Sequence, residues 1–226
     1  MTRAAISWSA GKDACLALLR ARAAGLPVDT FLTVMDEPGE LSLSHALPAD
    51  LMHAQVRALG GQWRPTPIAS AGYAQGWAAA LVALRDSGHT HLVFGDIDLL
   101  AHRAWLEPAC EAAGLEAVFP LWGQPRAALA EEIVARGIRA RLVCVDTARL
   151  DAGFCGAEYD ADLLARLPAG VCPCGEDGEF HTFVWDGPGF SAPLPLTAGV
   201  RRLVPARPPL SPTVLAFQVP ALERAA

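Results

Sequence analysis

Lysine is almost missing from this sequence of 226 residues, which contains one lysine, Lys12, beside seventeen arginines. Charged residues are also scarce, at 19% of the chain, and the net charge is −6. Strong binding to a polynucleotide requires clustered cations that displace counterions from the phosphates. Since the chain has no basic stripe, a nucleic-acid partner is disfavoured.

Long apolar runs are missing as well. None approaches the roughly eighteen apolar residues that cross a bilayer. The first apolar run is too short for a secretory signal because the polar residues 9–13 interrupt it. We therefore expect a cytoplasmic protein without a membrane partner. Cysteines in that compartment are usually reduced, so we expect six free thiols: Cys15, Cys110, Cys144, Cys155, Cys172 and Cys174.

Strand-like and helix-like segments alternate through the first two thirds of the chain. This alternation predicts an α/β fold with a doubly wound parallel sheet and right-handed crossovers. The predicted strands are residues 3–8, 28–35, 62–68, 91–95, 116–121 and 138–145. The predicted helices are residues 13–24, 48–59, 73–86, 100–113 and 126–136.

The amino-acid composition changes in the second half of the chain, where glycine and proline become frequent. We predict a nucleotide-binding α/β domain at residues 1–120 and a smaller α+β domain at residues 121–226. Two short apolar runs near the end, residues 200–204 and 213–219, are predicted to be edge strands because proline is tolerated there.

The first candidate site is a turn of small and polar residues between the first strand and the first helix. Such a turn directs several backbone N–H groups toward one point, and the helix N-terminus adds partial positive charge. A phosphate group suits this place. Gly11 lets the backbone come close, Ser9 offers a hydroxyl, and Lys12 supplies a compact positive charge that an arginine would not.

This turn is not a Walker A loop. Ile6 stands where that motif has its first glycine, and Asp13 stands where it has serine or threonine. An acid at this position is explained if it caps the helix or helps to hold a phosphate-bound magnesium ion. The alternative interpretation is a plain strand–helix turn with Asp13 as its N-cap.

The second candidate site lies in residues 170–190, where acidic and polar side chains stand among glycines and aromatic residues. Carboxylates and an imidazole at this density favour binding an ammonium-like group, holding a metal or moving protons. The alternative is a tight hairpin with a solvated acidic turn. A zinc site is disfavoured because Cys172 and Cys174 are separated by a single residue and no second pair of ligands follows. The polar residues are Glu176, Asp177, Glu179, His181, Thr182 and Asp186.

Together these two segments resemble the diphthine–ammonia ligase family, whose ATP-binding domain belongs to the PP-loop group, the N-type ATP pyrophosphatases. The first family motif is Ser-Gly-Gly-Lys-Asp-Ser, and this sequence has Ser9-Ala10-Gly11-Lys12-Asp13-Ala14. The second motif, Gly-Glu-x-Gly-Glu-Phe/Tyr, is matched by residues 175–180 and continues through Thr182, Val184, Asp186, Pro188 and Phe190. Intermediate landmarks also fit: His45, Pro48, Gln55, Gly95, Asp96, Ile97, Arg103, Glu107, Pro120, Leu121 and Trp122.

The resemblance implies an enzyme that uses ATP and Mg²⁺ to adenylate a carboxylate, after which ammonia displaces AMP and leaves an amide. In the family the acceptor is a modified histidine of translation elongation factor two. Here the acceptor is left open, as a carboxylate on a protein or a free one, and so is the choice between a monomer and a homodimer.

The resemblance also assigns roles to residues. It implies catalytic roles for Lys12, Asp13, Glu176, Glu179 and His181, with Asp13 also a magnesium ligand. The implied nucleotide-binding residues are Ser9, Ala10, Gly11, Lys12, Asp13, Asp36, Gly95, Asp96 and Arg103. The implied residues on the acceptor or ammonia side are His45, Glu107, Gly175, Glu176, Glu179 and Thr182. An ion pair between Arg103 and Glu107, four apart on one helix, is the alternative explanation of those two residues.

Two departures from the first motif leave other functions open. Ala10 replaces a glycine, and Ala14 replaces a serine whose hydroxyl would serve a phosphate. The loss at Ala14 motivates a second hypothesis, an ATP-binding protein or sensor that does no ligation. A third hypothesis, a sulfur- or RNA-modifying PP-loop enzyme, rests on Cys172 and Cys174 and is opposed by the acidic charge balance.

Overall fold

The computed structural model describes residues 2–206 and 213–223. The chain forms two compact units. The first consists of the residues up to Ser9 and of Asp13–Gln124, and the second consists of Ala10–Lys12 and the residues from Pro125 onward. Of the predicted nucleotide-binding turn, Ser9 and Asp13 therefore belong to the first unit and Ala10–Lys12 belong to the second.

The first unit is built on five parallel strands in the order β3-β2-β1-β4-β5. The chain runs from the central β1 outward to β3 and then returns to the other side of β1, which is the doubly wound topology predicted from the alternating segments. That prediction is confirmed. The elements are β1 (Ala4–Ser7), α1 (Lys12–Ala23), β2 (Val28–Met35), α2 (Ala49–Ala58), β3 (Gln62–Pro67), α3 (Tyr73–Asp86), β4 (His91–Val93), α4 (Leu100–Ala113) and β5 (Glu116–Val118).

The apolar residues of the central strands explain why this sheet forms. Strand β1 is buried along nearly its whole length, as expected when helices cover both faces of a parallel sheet. On one face α3 and α4 present Leu81, Leu84 and Cys110 to Leu92 of β4, and all four residues are completely buried. Each fully buried leucine stabilises the fold by roughly 1.5–3 kcal/mol.

The second unit contains an antiparallel sheet of four strands in the order β7-β6-β10-β9 and a small pair formed by β11 and β8. Its helices are α5 (Arg126–Ala135) and α6 (Ala161–Arg166), with one 3₁₀ turn at Ala152–Phe154. Its strands are β6 (Arg139–Asp146), β7 (Phe180–Asp186), β8 (Leu196–Thr197), β9 (Arg202–Pro205), β10 (Val214–Phe217) and β11 (Ala221–Leu222).

Three features of this unit differ from the sequence prediction. Residues 180–186, predicted as part of a polar site segment or a hairpin turn, form the regular strand β7. The run at residues 213–219 contains β10, which lies between β6 and β9 and is not an edge strand. Helix α6 was not predicted, and it begins where the Asp160 side chain accepts a hydrogen bond from the Leu163 amide.

In the described part of the chain, none of the helices combines the length and the apolar character needed to cross a bilayer.

Candidate active site

The turn after β1 has an unusual backbone. Ala10 is fully buried and has a φ of 68°, in the left-handed region that costs an L-residue roughly 1–2 kcal/mol. The turn follows β1, the central strand of the parallel sheet. Strand β1 lies between β2 and β4, so the chain changes direction across the sheet at this strand. In sheets of this kind ligands bind outside the carboxyl ends of the strands where the strand order reverses. Strain retained at such a point is typical of a functional loop.

Gly95, which follows β4, lies against the first turn of α1. A Cβ atom at Gly95 would stand 2.9 Å from the amide nitrogen of Ala14. Only glycine fits at this distance, so close packing of the two backbones is enough to require a glycine at position 95. A contact between Gly95 and a nucleotide stays a prediction. Ala14 is itself buried, which explains why a small residue suits that position.

Asp96 and Arg103 both have side-chain partners. An oxygen of Asp96 lies 3.0 Å from the Nδ1 atom of the exposed His102. The Arg103 guanidinium donates a 2.7 Å hydrogen bond to Glu107 and stacks over the rings of Phe119 and Trp122. The ion pair that was the alternative explanation of Arg103 and Glu107 is therefore present. It fixes the guanidinium in one orientation while leaving about a third of it exposed.

The loop after β2 contains Asp36 and His45. One carboxylate oxygen of Asp36 accepts hydrogen bonds from the amides of Glu40 and Leu41, at 2.8 and 3.0 Å. Asp36 thus shapes its own loop, and His45 is half-buried further along it. Whether either side chain also contacts a nucleotide stays a prediction.

Lys12 is buried, with 2% of its surface exposed. Its Nζ atom donates a 2.6 Å hydrogen bond to the carbonyl oxygen of Cys174 and lies 5.3 and 5.5 Å from the ring centres of Tyr159 and Phe180. A charge held over two aromatic faces is stabilised by the ring quadrupoles. The ammonium group is therefore fixed in place inside the second unit.

The backbone of the same turn is attached to strand β7. The Val184 amide donates to the carbonyl oxygen of Ala10 at 3.0 Å, and the Lys12 amide donates to the hydroxyl of Thr182 at 3.1 Å. Because β7 is at the edge of its sheet, its Val184 amide is directed away from β6 and can pair with the turn. The two segments singled out in the sequence are thus joined by hydrogen bonds. Thr182, predicted to bind substrate, accepts a hydrogen bond from the turn at residues 9–13.

The loop before β7 is organised by Glu179, whose side chain is buried. One of its oxygens accepts from the Cys172 amide at 2.8 Å and the other from the Asp177 amide at 3.1 Å. Gly175 has a φ of 72°, and a Cβ atom there would stand 2.7 Å from the Phe180 carbonyl. Glu179 and Gly175 therefore shape the loop that carries the half-buried Glu176.

His181 has an altered protonation equilibrium. Burial, together with a smaller repulsion from the Lys12 ammonium, lowers the pKa of His181 to about 4. The imidazole is neutral at physiological pH. With this pKa the imidazole binds a proton only weakly near neutral pH.

The six cysteines are buried free thiols. Burial raises the pKa of Cys15 and Cys144 to about 12 and that of Cys110 and Cys155 to about 11. Thiols of this kind stay protonated and unreactive. Within residues 2–206 and 213–223, no three His, Cys, Asp or Glu side chains are grouped as metal ligands.

Comparison with known families agrees with this arrangement. Residues 2–117 match the model of the diphthamide synthase N-terminal domain, and residues 125–202 match that of the diphthamide synthase C-terminal domain. The chain belongs to the diphthamide synthase family. The diphthine–ammonia ligase of Schizosaccharomyces pombe is 32% identical to it over 99 residues, which are 42% of this chain and 16% of that protein. The chain thus matches a small part of the length of this relative. The two domain matches confirm the family resemblance inferred from the two motifs.

In this member of the diphthamide synthase family, three contributions to the site were missed by sequence reasoning. They are the carbonyl of Cys174 and the rings of Tyr159 and Phe180, which surround the Lys12 ammonium. Phe180 is part of the second motif, so the sequence marked it as a candidate site residue. Tyr159 lies outside both motifs, and nothing in the sequence indicated a role for it.

Proposed function

We propose that the chain is an ATP-dependent ligase that activates a carboxylate as an acyl-adenylate and converts it to an amide with ammonia. The observation that carries the proposal is the strained turn at Ala10, at the carboxyl end of the central strand and at the start of α1. Membership of the diphthamide synthase family supports it. The name of the fission-yeast relative supports the class of reaction.

The backbone amides of residues 9–13 and the N-terminus of α1 are proposed to hold the phosphates of ATP, with the Ser9 hydroxyl as an additional donor. The buried ammonium of Lys12 is proposed to supply positive charge to the same site. A charge already fixed in position needs no rearrangement when pyrophosphate leaves, so it stabilises the developing negative charge effectively.

The site also suits a magnesium ion. Asp13 lies in the first turn of α1, and Mg²⁺ is usually held by one or two carboxylates together with substrate phosphates and water. A protein site with a single carboxylate is enough for this coordination. Bound there, the ion would neutralise phosphate charge.

The proposed reaction has two steps. A carboxylate oxygen of the acceptor attacks the α-phosphorus of ATP, and the bond to pyrophosphate breaks. The nitrogen of ammonia then attacks the acyl carbon, the bond to AMP breaks, and a proton is lost to solvent. The neutral imidazole of His181 is proposed to accept a hydrogen bond from ammonia, with Glu176 beside the acceptor. Glu179 acts by shaping their loop, since both of its oxygens are engaged by backbone amides.

The test measures AMP and pyrophosphate while ATP, Mg²⁺ and ammonium are present with a panel of free carboxylic acids and carboxylate-bearing peptides. We expect AMP only when an accepted carboxylate is present. The Asp13→Asn variant should lower the rate about 10²-fold because it removes the metal-binding charge. Asp50→Asn is the matched control, since Asp50 also lies in the first turn of a helix, α2, and it should retain the rate.

Two outcomes would contradict the ligase proposal. ATP binding without AMP under every condition would favour a non-ligating ATP-binding protein, the function suggested by the alanine at position 14. If calorimetry detected no ATP binding, the proposal that residues 9–13 bind a nucleotide would be wrong.

A further inference from the structure

The second unit contains a cavity of about 280 Å³ that the proposed ligase reaction does not use. It is small beside the roughly 300–1,000 Å³ of pockets for drug-sized ligands, so a molecule of amino-acid size fits it. Its lining residues are Arg141, Gly156, Glu158, Ala198, Gly199, Gln218 and Pro220.

One positive and one negative side chain stand next to each other in this cavity. Arg141 and Glu158 form an isolated antiparallel bridge, so they are direct cross-strand neighbours. The Arg141 Nε atom donates to one oxygen of Glu158 at 2.5 Å, and the indole N–H of Trp185 donates to the other at 3.1 Å. About a third of each charged side chain is exposed. The two charges are therefore held in fixed positions and are accessible from the cavity.

Both charged groups retain hydrogen-bonding capacity. A guanidinium has five N–H donors and a carboxylate has about four acceptor positions. Among residues 2–206 and 213–223, Arg141 uses one donor and Glu158 accepts two bonds. The remaining N–H groups of Arg141 suit a carboxylate, and the remaining lone pairs of Glu158 suit an ammonium group.

The neighbouring carboxamide of Gln218 is also oriented. Arg201 donates to the Gln218 Oε1 atom at 3.2 Å and to the Cys155 carbonyl at 2.6 Å. With its oxygen occupied, Gln218 offers its NH₂ group as a further donor. Gly156 lets this amide lie flat against the backbone, because a Cβ atom there would stand 2.6 Å from the carboxamide.

We propose that this cavity binds the zwitterionic head of a free α-amino acid, with its carboxylate on Arg141 and Gln218 and its ammonium group on Glu158. The adjacent opposite charges match the two ends of that head, whereas a simple anion would lie beside an unfavourable carboxylate. The proposal does not depend on the ligase function, because binding is measured without ATP.

The test uses the full chain and a panel of proteinogenic L-amino acids, with acetate and methylamine as single-charge controls. Binding is followed by calorimetry and by the NMR signal of the Trp185 indole N–H, which a Trp185→Phe variant assigns. We expect at least one amino acid to bind and to move this signal, with acetate and methylamine binding at least about tenfold more weakly.

Two variants locate the binding. Arg141→Gln and Glu158→Gln should each weaken amino-acid binding about tenfold or more. Arg136→Gln is the matched control, since Arg136 forms a comparable 2.7 Å ion pair with Glu132 on α5 and does not line the cavity. The wild-type NMR signal keeps the test decisive if a variant fails to fold. The proposal is overturned if no amino acid moves the Trp185 signal, if acetate binds as well as the amino acids, or if both cavity variants retain full affinity.

Discussion

The ammonium group of Lys12 donates a hydrogen bond to the carbonyl oxygen of Cys174, 162 positions later in the chain. The contact joins the turn after β1 to the loop before β7. A hydrogen bond from a charged donor stabilises by about 1.5–3 kcal/mol. The chain's single lysine is therefore a structural link between the two motifs as well as a source of positive charge.

Replacing Lys12 by methionine keeps the length of the side chain and removes the charge. We expect the free energy of unfolding to fall by about 1–3 kcal/mol, because the Cys174 carbonyl loses its charged donor. The pKa of His181 should rise above its value of about 4, since the ammonium is one cause of the depression. It should stay below the ordinary value, because burial is the larger cause. Urea unfolding and an NMR titration of the imidazole measure the two effects.

Lys12→Arg is the control for charge. It retains the positive charge, so the pKa of His181 should stay low even if the larger guanidinium packs less well against Tyr159 and Phe180. An unchanged His181 pKa in Lys12→Met would show that the ammonium does not act on the imidazole.

Thr182 is expected to act through its hydroxyl. Thr182→Val has nearly the same shape but cannot accept the hydrogen bond from the Lys12 amide, so we expect a loss of about 1–3 kcal/mol in stability. ATP affinity should also fall, because the turn is less well fixed. Thr182→Ser keeps the acceptor and should retain most of both properties. Equal losses in the two variants, measured by urea unfolding and calorimetry, would assign the effect to the methyl group.

Ala10 should tolerate glycine and reject larger residues. Ala10→Gly relieves the left-handed conformation but loses a buried methyl group and adds chain entropy, so we expect stability to stay within about 1 kcal/mol of wild type. Ala10→Val should cost about 2–4 kcal/mol, since a branched side chain at positive φ is strained and the site is closed.

The same valine substitution at Ala58, in the regular helix α2, should cost less than about 1 kcal/mol. Equal losses at positions 10 and 58 would mean that the turn is not strained.

The first unit was predictable because its signals are local. Apolar runs of strand length alternate with helical segments that end at Gly25, Gly60 and Gly114, and the predicted boundaries agree with the structure within a few residues. Strand β7 was missed although Thr182, Phe183 and Val184 favour strands. The glycines and acidic residues at positions 175–179 are typical of a polar loop and outweighed this preference.

Contacts between distant parts of the chain were not predictable. The sequence singled out Lys12 by its rarity, but it contains no indication that the side chain turns toward Cys174 and Tyr159. Glu179 and Thr182 were identified as important and were given direct roles toward substrate. In the structure they bind backbone amides, a role that residue type alone does not distinguish from catalysis.

The protonation of His181 makes stability depend on pH in a specific direction. The pKa of this residue is about 4 in the folded protein and about 6.5 in an unfolded chain. Between these values the unfolded state binds more protons, so stability falls as the pH is lowered through this window. Lowering the pH from 7 to 5 should cost about 2 kcal/mol through His181 alone.

Urea unfolding at both pH values measures this cost against the His181→Gln variant, in which the dependence should be smaller by that amount. His53→Gln, at an exposed histidine of α2, is the matched control for replacing a histidine by glutamine. If His181→Gln kept the full pH dependence, the imidazole would not be the neutral, half-buried group that the proposed contact with ammonia requires.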